Sequence, residues 1–137
     1  SYSVTGVQTC ALPILAFGNP DYILDLWGLA SPQVLQVRRQ QHSSSWMDSL
    51  ARSHNVRLAM IYEVYFPLLP ETWTCVGKLF LGRRKMTADQ PMVSFYATRP
   101  EEVDDLKRHL HHFKPSLPPG VRLHIAADTH STEKRTP

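Results

Sequence analysis

Two carboxylates lie beside apolar, β-prone segments, where they could bind a ligand or act as acid and base. Asp25 is near the end of Tyr22-Ile-Leu-Asp-Leu26, and Glu63 directly follows Leu58-Ala-Met-Ile-Tyr62. Ligands of open α/β sheets bind at the carboxyl ends of strands, so Asp25 and Glu63 are candidate substrate-binding residues. The alternative is structural: Asp25 would accept backbone hydrogen bonds in the turn at Trp27-Gly28, and Glu63 has the same ambiguity.

A group of aromatic residues surrounds a proline-containing loop and forms the second candidate site. The loop Phe66-Pro-Leu-Leu-Pro-Glu-Thr72 is excluded from regular structure by its prolines. Tyr65, Phe66 and Trp73, together with Tyr62, could line a surface that contacts a sugar or a lipid headgroup, because aromatic faces pack on both. The alternative is that the same residues belong to the core.

The sequence has no motif for nucleophilic catalysis, phosphate binding or dinucleotide binding. We therefore predict no catalytic residue and no cofactor. The nearest approach to a metal cluster is His109-Leu-His-His112, but zinc needs three or four ligands, so we predict a solvated helical face and no metal site. Cys75, in an apolar run, is predicted to be a buried small side chain.

Composition narrows the classes of partner. The formal net charge of +3 is small and spread along the chain, whereas a nucleic-acid-binding protein shows a dense stripe of Lys and Arg. Arg83-Arg84-Lys85 is predicted to be a solvated hairpin turn. No apolar run approaches the roughly 20 residues of a membrane-spanning helix.

The segments that must position these residues alternate between strand and helix patterns. Ser31-Pro32 is a helix start, and Ser45 with Asp48 resembles a capping box. The predicted segments are a strand over 22–26, helices over 32–41 and 46–54, strands over 57–62, 73–81 and 92–97, a helix over 100–113 and a strand over 121–125. This order, β-α-α-β-β-β-α-β, predicts a single-domain α/β fold with a mixed sheet of about five strands packed with three helices.

Three details of this fold are also predicted. The near-continuous apolar segment 57–62 is expected to be a central strand covered on both faces, and 73–81 is expected to pair antiparallel with 92–97. In the last helix, the spacing of its apolar residues places them on one buried face. These residues are Val103, Leu106, Leu110 and Phe113.

Both ends of the chain are predicted to lie outside the domain. Val4-Thr-Gly-Val-Gln-Thr-Cys-Ala-Leu-Pro-Ile14 resembles the conceptual translation of a common short-read sequencing adapter. We therefore expect residues 1–14 to be artefactual, which leaves Cys75 as the single natural cysteine. The domain is expected over 15–126, truncated at its N-terminus, and residues 127–137 are expected to be a disordered tail.

The segment Asp25-Leu-Trp-Gly-Leu-Ala-Ser-Pro32 resembles a phrase in the C-terminal extracytoplasmic part of bacterial GT-C-type membrane glycosyltransferases, the polyprenyl-phosphate-sugar mannosyltransferase-like proteins. Later segments resemble that family's strands in order and spacing. They are Arg57-Leu-Ala-Met-Ile-Tyr62, Trp73-Thr-Cys-Val-Gly77 and Val93-Ser-Phe-Tyr-Ala-Thr98.

This resemblance implies a parent protein that transfers sugar from a lipid-linked donor on the periplasmic side of the bacterial inner membrane. Its catalytic acidic residue would lie in the membrane portion, so this chain would be a non-catalytic, water-soluble domain that helps to recognise the acceptor. The implied partners are the transmembrane portion, the membrane surface and a lipid-linked sugar or glycan acceptor, with no nucleic acid.

Two other readings remain open. The chain could be a free-standing soluble binding or interaction module, or a small enzyme that uses Asp25 or Glu63 as acid or base. The upstream part of the gene distinguishes the free-standing module from the membrane-protein interpretation. Several hydrophobic stretches of about 20 residues in the same reading frame would support the membrane protein.

Overall fold

The computed structural model describes residues 4–5, 26, 32–40, 43–82 and 92–127. Within these ranges three helices pack with a five-stranded sheet, which confirms the predicted α/β class. The elements are, in chain order, β1 (Val4–Thr5), α1 (Pro32–Gln40), α2 (Ser45–Ser53), β2 (Leu58–Ile61), β3 (Thr74–Phe80), β4 (Met92–Ala97), α3 (Val103–Phe113) and β5 (Arg122–Ile125). One 3₁₀ turn, Glu63–Tyr65, follows β2, and two others, Pro100–Glu102 and Lys114–Ser116, flank α3.

The strands lie side by side in the order β1-β2-β4-β3-β5. The predicted antiparallel pairing of β3 with β4 is confirmed, and β2 and β5 are antiparallel to their neighbours as well. β1 pairs with β2 in parallel over two residues, so the sheet is mixed. The prediction that β2 is central is wrong, because β4 holds the central position and β2 lies one place from the edge of the described sheet.

The sheet separates two apolar layers. Ala59 and Ile61 of β2 belong to a core with Leu26, α1 and α2, whereas Leu58 and Met60 pack against a second core with α3. Side chains of a strand point alternately to opposite faces, so α1 and α2 cover one face and α3 covers the other. Helices therefore cover both faces of β2, which explains why nearly all of its residues are apolar.

Helix α2 begins without the predicted capping box. Ser44 is its N-terminal cap residue, and no side chain caps the helix. Ser45 Oγ instead bonds Ser43 Oγ at 2.8 Å. Asp48 accepts a hydrogen bond from Arg52 at 2.8 Å and another from Trp73 Nε1 at 3.0 Å. The carboxylate predicted to cap the helix therefore ties α2 to the start of β3.

Helix α3 buries most of its predicted face. Leu106 and Leu110 are buried and Val103 packs against the same core, but Phe113 is 45% exposed. The periodic pattern predicts the direction in which Phe113 points. It does not predict whether the sheet extends far enough to cover the last turn of α3. The prediction of burial is wrong for Phe113.

Several predicted features lie outside the described residues. These are the strand over 22–26, of which only Leu26 is described, fully buried and at a turn, the turn at Arg83–Lys85 and the tail from 128 onward. Of residues 1–14, the structure describes only the backbone of Val4–Thr5.

Candidate functional site

Glu63 lies at the centre of a polar cluster on the face of the sheet that carries α1 and α2. The 3₁₀ turn after β2 turns its side chain back over the central strand. There Glu63 Oε1 accepts hydrogen bonds from Ser94 Oγ and Tyr96 OH, both at 2.7 Å. Lys78 Nζ forms an ion pair with the same oxygen at 3.6 Å.

A β-bulge brings two further residues to this face. The register of β3 on β4 shifts between Cys75 and Gly77, so Cys75 lies opposite Tyr96 and Lys78 lies opposite Ser94. Three positions separate Cys75 from Lys78, and simple alternation would put them on opposite faces. The extra residue at the bulge restores them to one face, beside the residues that hold Glu63.

The cluster fixes the charge of its members. Hydrogen bonds from Tyr96 and then Ser94 hold the pKa of Glu63 below its ordinary value, with a further contribution from the Lys78 charge and opposition from burial. Burial and the hydrogen bond to Glu63 raise the pKa of Tyr96. Burial also raises the pKa of the Cys75 thiol. At neutral pH Glu63 is therefore an anion, Tyr96 is a hydrogen-bond donor and Cys75 is a neutral thiol.

The pKa directions bear on what Glu63 and Cys75 can do chemically. A carboxylate with a lowered pKa is a weak general base near neutral pH, and a neutral thiol is a poor nucleophile. Glu63 therefore lacks the raised pKa that the small-enzyme reading requires of an acid at this position, and Asp25, the other residue of that reading, lies outside the described residues. Cys75 is half-buried, with Sγ 3.7 Å from the Gly77 carbonyl oxygen, so the prediction that it is a buried core side chain is wrong.

The two carboxylate oxygens of Glu63 have different surroundings among the described residues. All the hydrogen bonds that described residues make to this carboxylate reach Oε1, and the side chain is 35% exposed. Oε2 is therefore a strong acceptor held in a fixed position. Lys78, 41% exposed, places a donor beside it. An acceptor next to a donor matches two neighbouring hydroxyl groups of one ligand.

The aromatic candidates divide between the core and a groove. Phe66 and Trp73 are buried, and Trp73 is fixed by its bond to Asp48. Tyr65 is half-buried and makes an edge-to-face contact with Tyr62 at 6.4 Å. Tyr65 and Phe66 line a separate groove against α1 and α2. Trp73 is thus a core residue.

The structure brings only part of the predicted site together. Glu63 is at the polar cluster and Tyr65 and Phe66 are at the groove, whereas Asp25 lies outside the described residues. Sequence reasoning missed Lys78, Ser94 and Tyr96. Ser94 and Tyr96 carried one signal, since they are the polar alternate positions of the otherwise apolar segment Met92–Ala97.

The histidines of α3 lie on the solvent side, as predicted. His109, His111 and His112 are exposed, and His109 Nδ1 donates to the Asp105 carbonyl oxygen at 2.7 Å. Among the described residues, no three His, Cys, Asp or Glu side chains come together in a group that could hold a metal ion. Nor is any helix in those ranges long and apolar enough to cross a bilayer.

Comparison with known protein families identifies the family of the chain. Residues 14–96, more than half of the chain, match a family described as a domain of unknown function, DUF8728. The chain belongs to the DUF8728 family. The DUF8728 match includes Glu63, Lys78, Ser94 and Tyr96, so the whole polar cluster lies within the family's domain. No curated protein and no solved structure shows significant similarity to the chain.

Proposed function

We propose that this domain is a non-catalytic recognition domain that binds a hydroxyl-rich acceptor at the Glu63 cluster. The observation that carries the proposal is the state of the Glu63 carboxylate. Oε1 is occupied by two donors and an ion pair, while Oε2 receives no hydrogen bond from the described residues. The site is thus organised before any ligand arrives.

A sugar has the chemistry that this arrangement recognises. One hydroxyl donates to the ionised carboxylate and its neighbour accepts from the Lys78 ammonium. Hydrogen bonds to charged groups contribute about 1.5–3 kcal/mol each, and a fixed carboxylate loses little side-chain freedom on binding. Farther along β3, Phe80 meets the His124 ring edge-to-face at 5.2 Å and offers an apolar surface for the C–H face of a sugar ring.

The resemblance of Asp25–Pro32 to GT-C-type glycosyltransferases supplies the wider context of the proposal. In that context the domain belongs to a membrane glycosyltransferase that uses a lipid-linked donor, and it lies on the periplasmic side of a bacterial inner membrane. Its partners are the transmembrane portion, the membrane surface and a lipid-linked sugar or glycan acceptor. Bond formation takes place in the membrane portion, so the domain selects the acceptor.

A second candidate function is a free-standing binding module for a hydroxyl-rich ligand. It is favoured by one observation, that Glu63, Lys78, Ser94 and Tyr96 all lie within the segment that matches the DUF8728 family. The upstream reading frame of the intact gene separates the two functions. Several hydrophobic stretches of about 20 residues in the same frame support the glycosyltransferase context, and a start codon directly ahead of the domain supports the free-standing module.

Binding of the sugar can be tested with ligand-observed NMR on a panel of monosaccharides and short glycans. We expect at least one sugar with neighbouring free hydroxyls to bind. Replacement of Glu63 by Gln should weaken that binding about tenfold or more, because one charge-assisted bond becomes a neutral one. Glu71→Gln is the matched control, since Glu71 is exposed and lies in the turn before β3. Equal affinity of the two variants would remove Glu63 from the site.

A further inference from the structure

Four side chains of β3 and β5 share the sheet face that carries Glu63. Lys78 forms its ion pair with Glu63 on that face, and Phe80, two positions along the strand, points the same way. In the register of β5 on β3, His124 lies directly opposite Lys78. Arg122 lies directly opposite Phe80. Residues in such opposite positions have Cβ atoms about 5 Å apart on one face, so the four side chains form one strip, the β3–β5 strip, beside the Glu63 cluster.

Helices α1 and α2 leave the β3–β5 strip uncovered among the described residues. The core beneath these helices includes residues of β2 and β4 but none of β3 or β5. Arg122 and His124 are exposed, and Lys78 is 41% exposed. A cavity of about 650 Å³ borders the β5 end of the strip, and its lining includes Arg122, His124 and Lys114. That volume is in the range of small-molecule sites, so a ligand at the Glu63 cluster has room to extend along the strip.

The charge of the β3–β5 strip is positive once the ion pair of Glu63 with Lys78 is set aside. Strands β3, β4 and β5 contain no Asp or Glu, and none is among the described residues that line the cavity. Arg122 forms no ion pair with a described residue. His124, which meets the Phe80 ring edge-to-face, adds a ring N–H on the same face. The Arg122 guanidinium is therefore a positive charge that no described residue neutralises.

We propose that the hydroxyl-rich ligand of the Glu63 cluster is an anionic sugar, whose phosphate or carboxylate group binds Arg122 and His124. Its hydroxyls bind at Glu63 and Lys78, and its ring lies over Phe80. The Glu63 carboxylate repels an anionic group placed directly beside it, so that group lies at the β5 end of the strip. A guanidinium matches phosphate and carboxylate because it donates two parallel hydrogen bonds to two oxygens. This inference rests on the proposed function, since it names the ligand class of the same site.

Ligand-observed NMR titrations of the full chain compare each hexose with its own anionic derivatives. The probes are glucose, galactose and mannose, their 6-phosphates and the corresponding uronates. For at least one hexose we expect an anionic derivative to bind at least about tenfold more tightly than the parent sugar. The gain should shrink as salt is added. The 6-phosphates and the uronates distinguish the two anionic groups, because the group that fits the strip gives the larger gain.

Variants of Arg122 test whether this side chain binds the anionic group. Arg122→Gln should remove most of the gain and leave the affinity for the parent hexose unchanged. Arg122→Lys keeps the charge but not the paired N–H groups, so it should retain part of the gain. The matched control Arg108→Gln removes an exposed arginine from α3, on the opposite side of the sheet, and should change neither affinity. Circular dichroism should show that all three variants fold.

The outcomes separate the anionic class of the ligand from the sugar site itself. Suppose that a hexose binds and that Glu63→Gln weakens its binding. If its anionic derivatives then gain nothing, or if Arg122→Gln keeps the gain, the anionic class is wrong and the sugar site stands. If Glu63→Gln leaves the affinity for every hexose unchanged, the proposed function fails, and this inference fails with it. Absence of binding by every probe overturns both.

Discussion

At the scale of single residues, the molecule depends on how Glu63 is held. Ser94 is fully buried and Glu63 is its acceptor, so removal of the carboxylate leaves a buried hydroxyl without this bond. We predict that Glu63→Ala lowers the free energy of unfolding by about 1–3 kcal/mol. Urea denaturation followed by fluorescence measures the change. Glu71→Ala, at an exposed position, should change it by less than about 0.5 kcal/mol.

The stability that Glu63 contributes should depend on pH in one direction. Its pKa is lower in the folded chain than its ordinary value of 4.5, so the folded state favours the ionised form. This stabilisation is fully present above the unfolded pKa and is lost as the pH falls through the lower folded pKa. We predict that the parent chain and Glu63→Gln differ most in stability near pH 7 and converge below pH 4.5. A difference that grows on acidification would contradict this assignment.

The sequence predicted Glu63 as a site residue, but it did not predict the residues that bind its carboxylate. Its position after an apolar strand marked it as a candidate, because strand ends are common ligand sites. Ser94 and Tyr96 are more than thirty positions away, and their approach depends on the pairing of β2 with β4. Tertiary packing determines which strands pair, so the pairing cannot be predicted from the periodicity of either segment alone.

At the scale of elements, the bulge in β3 decides which side chains share a face. Gly77, at the bulge, is close to its surroundings: an added Cβ would lie 3.0 Å from the His124 carbonyl oxygen and 3.0 Å from Leu110 Cδ1. The carbonyl belongs to β5 and cannot rotate away without breaking the sheet. We predict that Gly77→Ala lowers the free energy of unfolding by about 1–3 kcal/mol, measured by urea denaturation. An unchanged denaturation midpoint would show that β3 and α3 separate more easily than the structure indicates.

The contact between α2 and β3 gives a second prediction at this scale. Trp73→Phe keeps most of the apolar contact but removes the Nε1 donor that binds Asp48. We expect a loss of about 1 kcal/mol in the free energy of unfolding, whereas Trp73→Ala should cost about 3–5 kcal/mol because it also leaves a cavity. Thermal denaturation of the two variants compares the values. Equal losses would mean that the hydrogen bond, and not the ring, fixes Trp73.

The elements themselves were largely predictable. Pro32 as a helix start, the apolar face of α3 and the β3–β4 pair follow from local chemistry and periodicity. The predicted capping box is absent because Asp48 binds Arg52 and Trp73 instead. The predicted burial of Phe113 is wrong because burial at a helix end depends on how far the neighbouring sheet extends. Both failures concern contacts between elements, which a local pattern does not encode.

At the scale of the whole molecule, the two faces of the sheet differ in composition. The face covered by α3 packs against apolar side chains, and the face covered by α1 and α2 carries both the polar cluster and the groove lined by Tyr65 and Phe66. β1 contributes to this assembly through only two paired residues. If residues 1–14 are foreign to the domain, their deletion should change the free energy of unfolding by less than about 1 kcal/mol. A larger loss in thermal denaturation would show that the segment is part of the fold.

A chemical-shift titration tests most directly whether the Glu63 cluster binds a hydroxyl-rich ligand. The chain is labelled with ¹³C and ¹⁵N, and a binding sugar is added stepwise while side-chain signals are followed. We predict that the Glu63 carboxyl carbon and the Lys78 ammonium shift together, with one dissociation constant, and that Tyr96 follows them. Saturable shifts confined to other residues, with Glu63 and Lys78 unmoved, would contradict the claim.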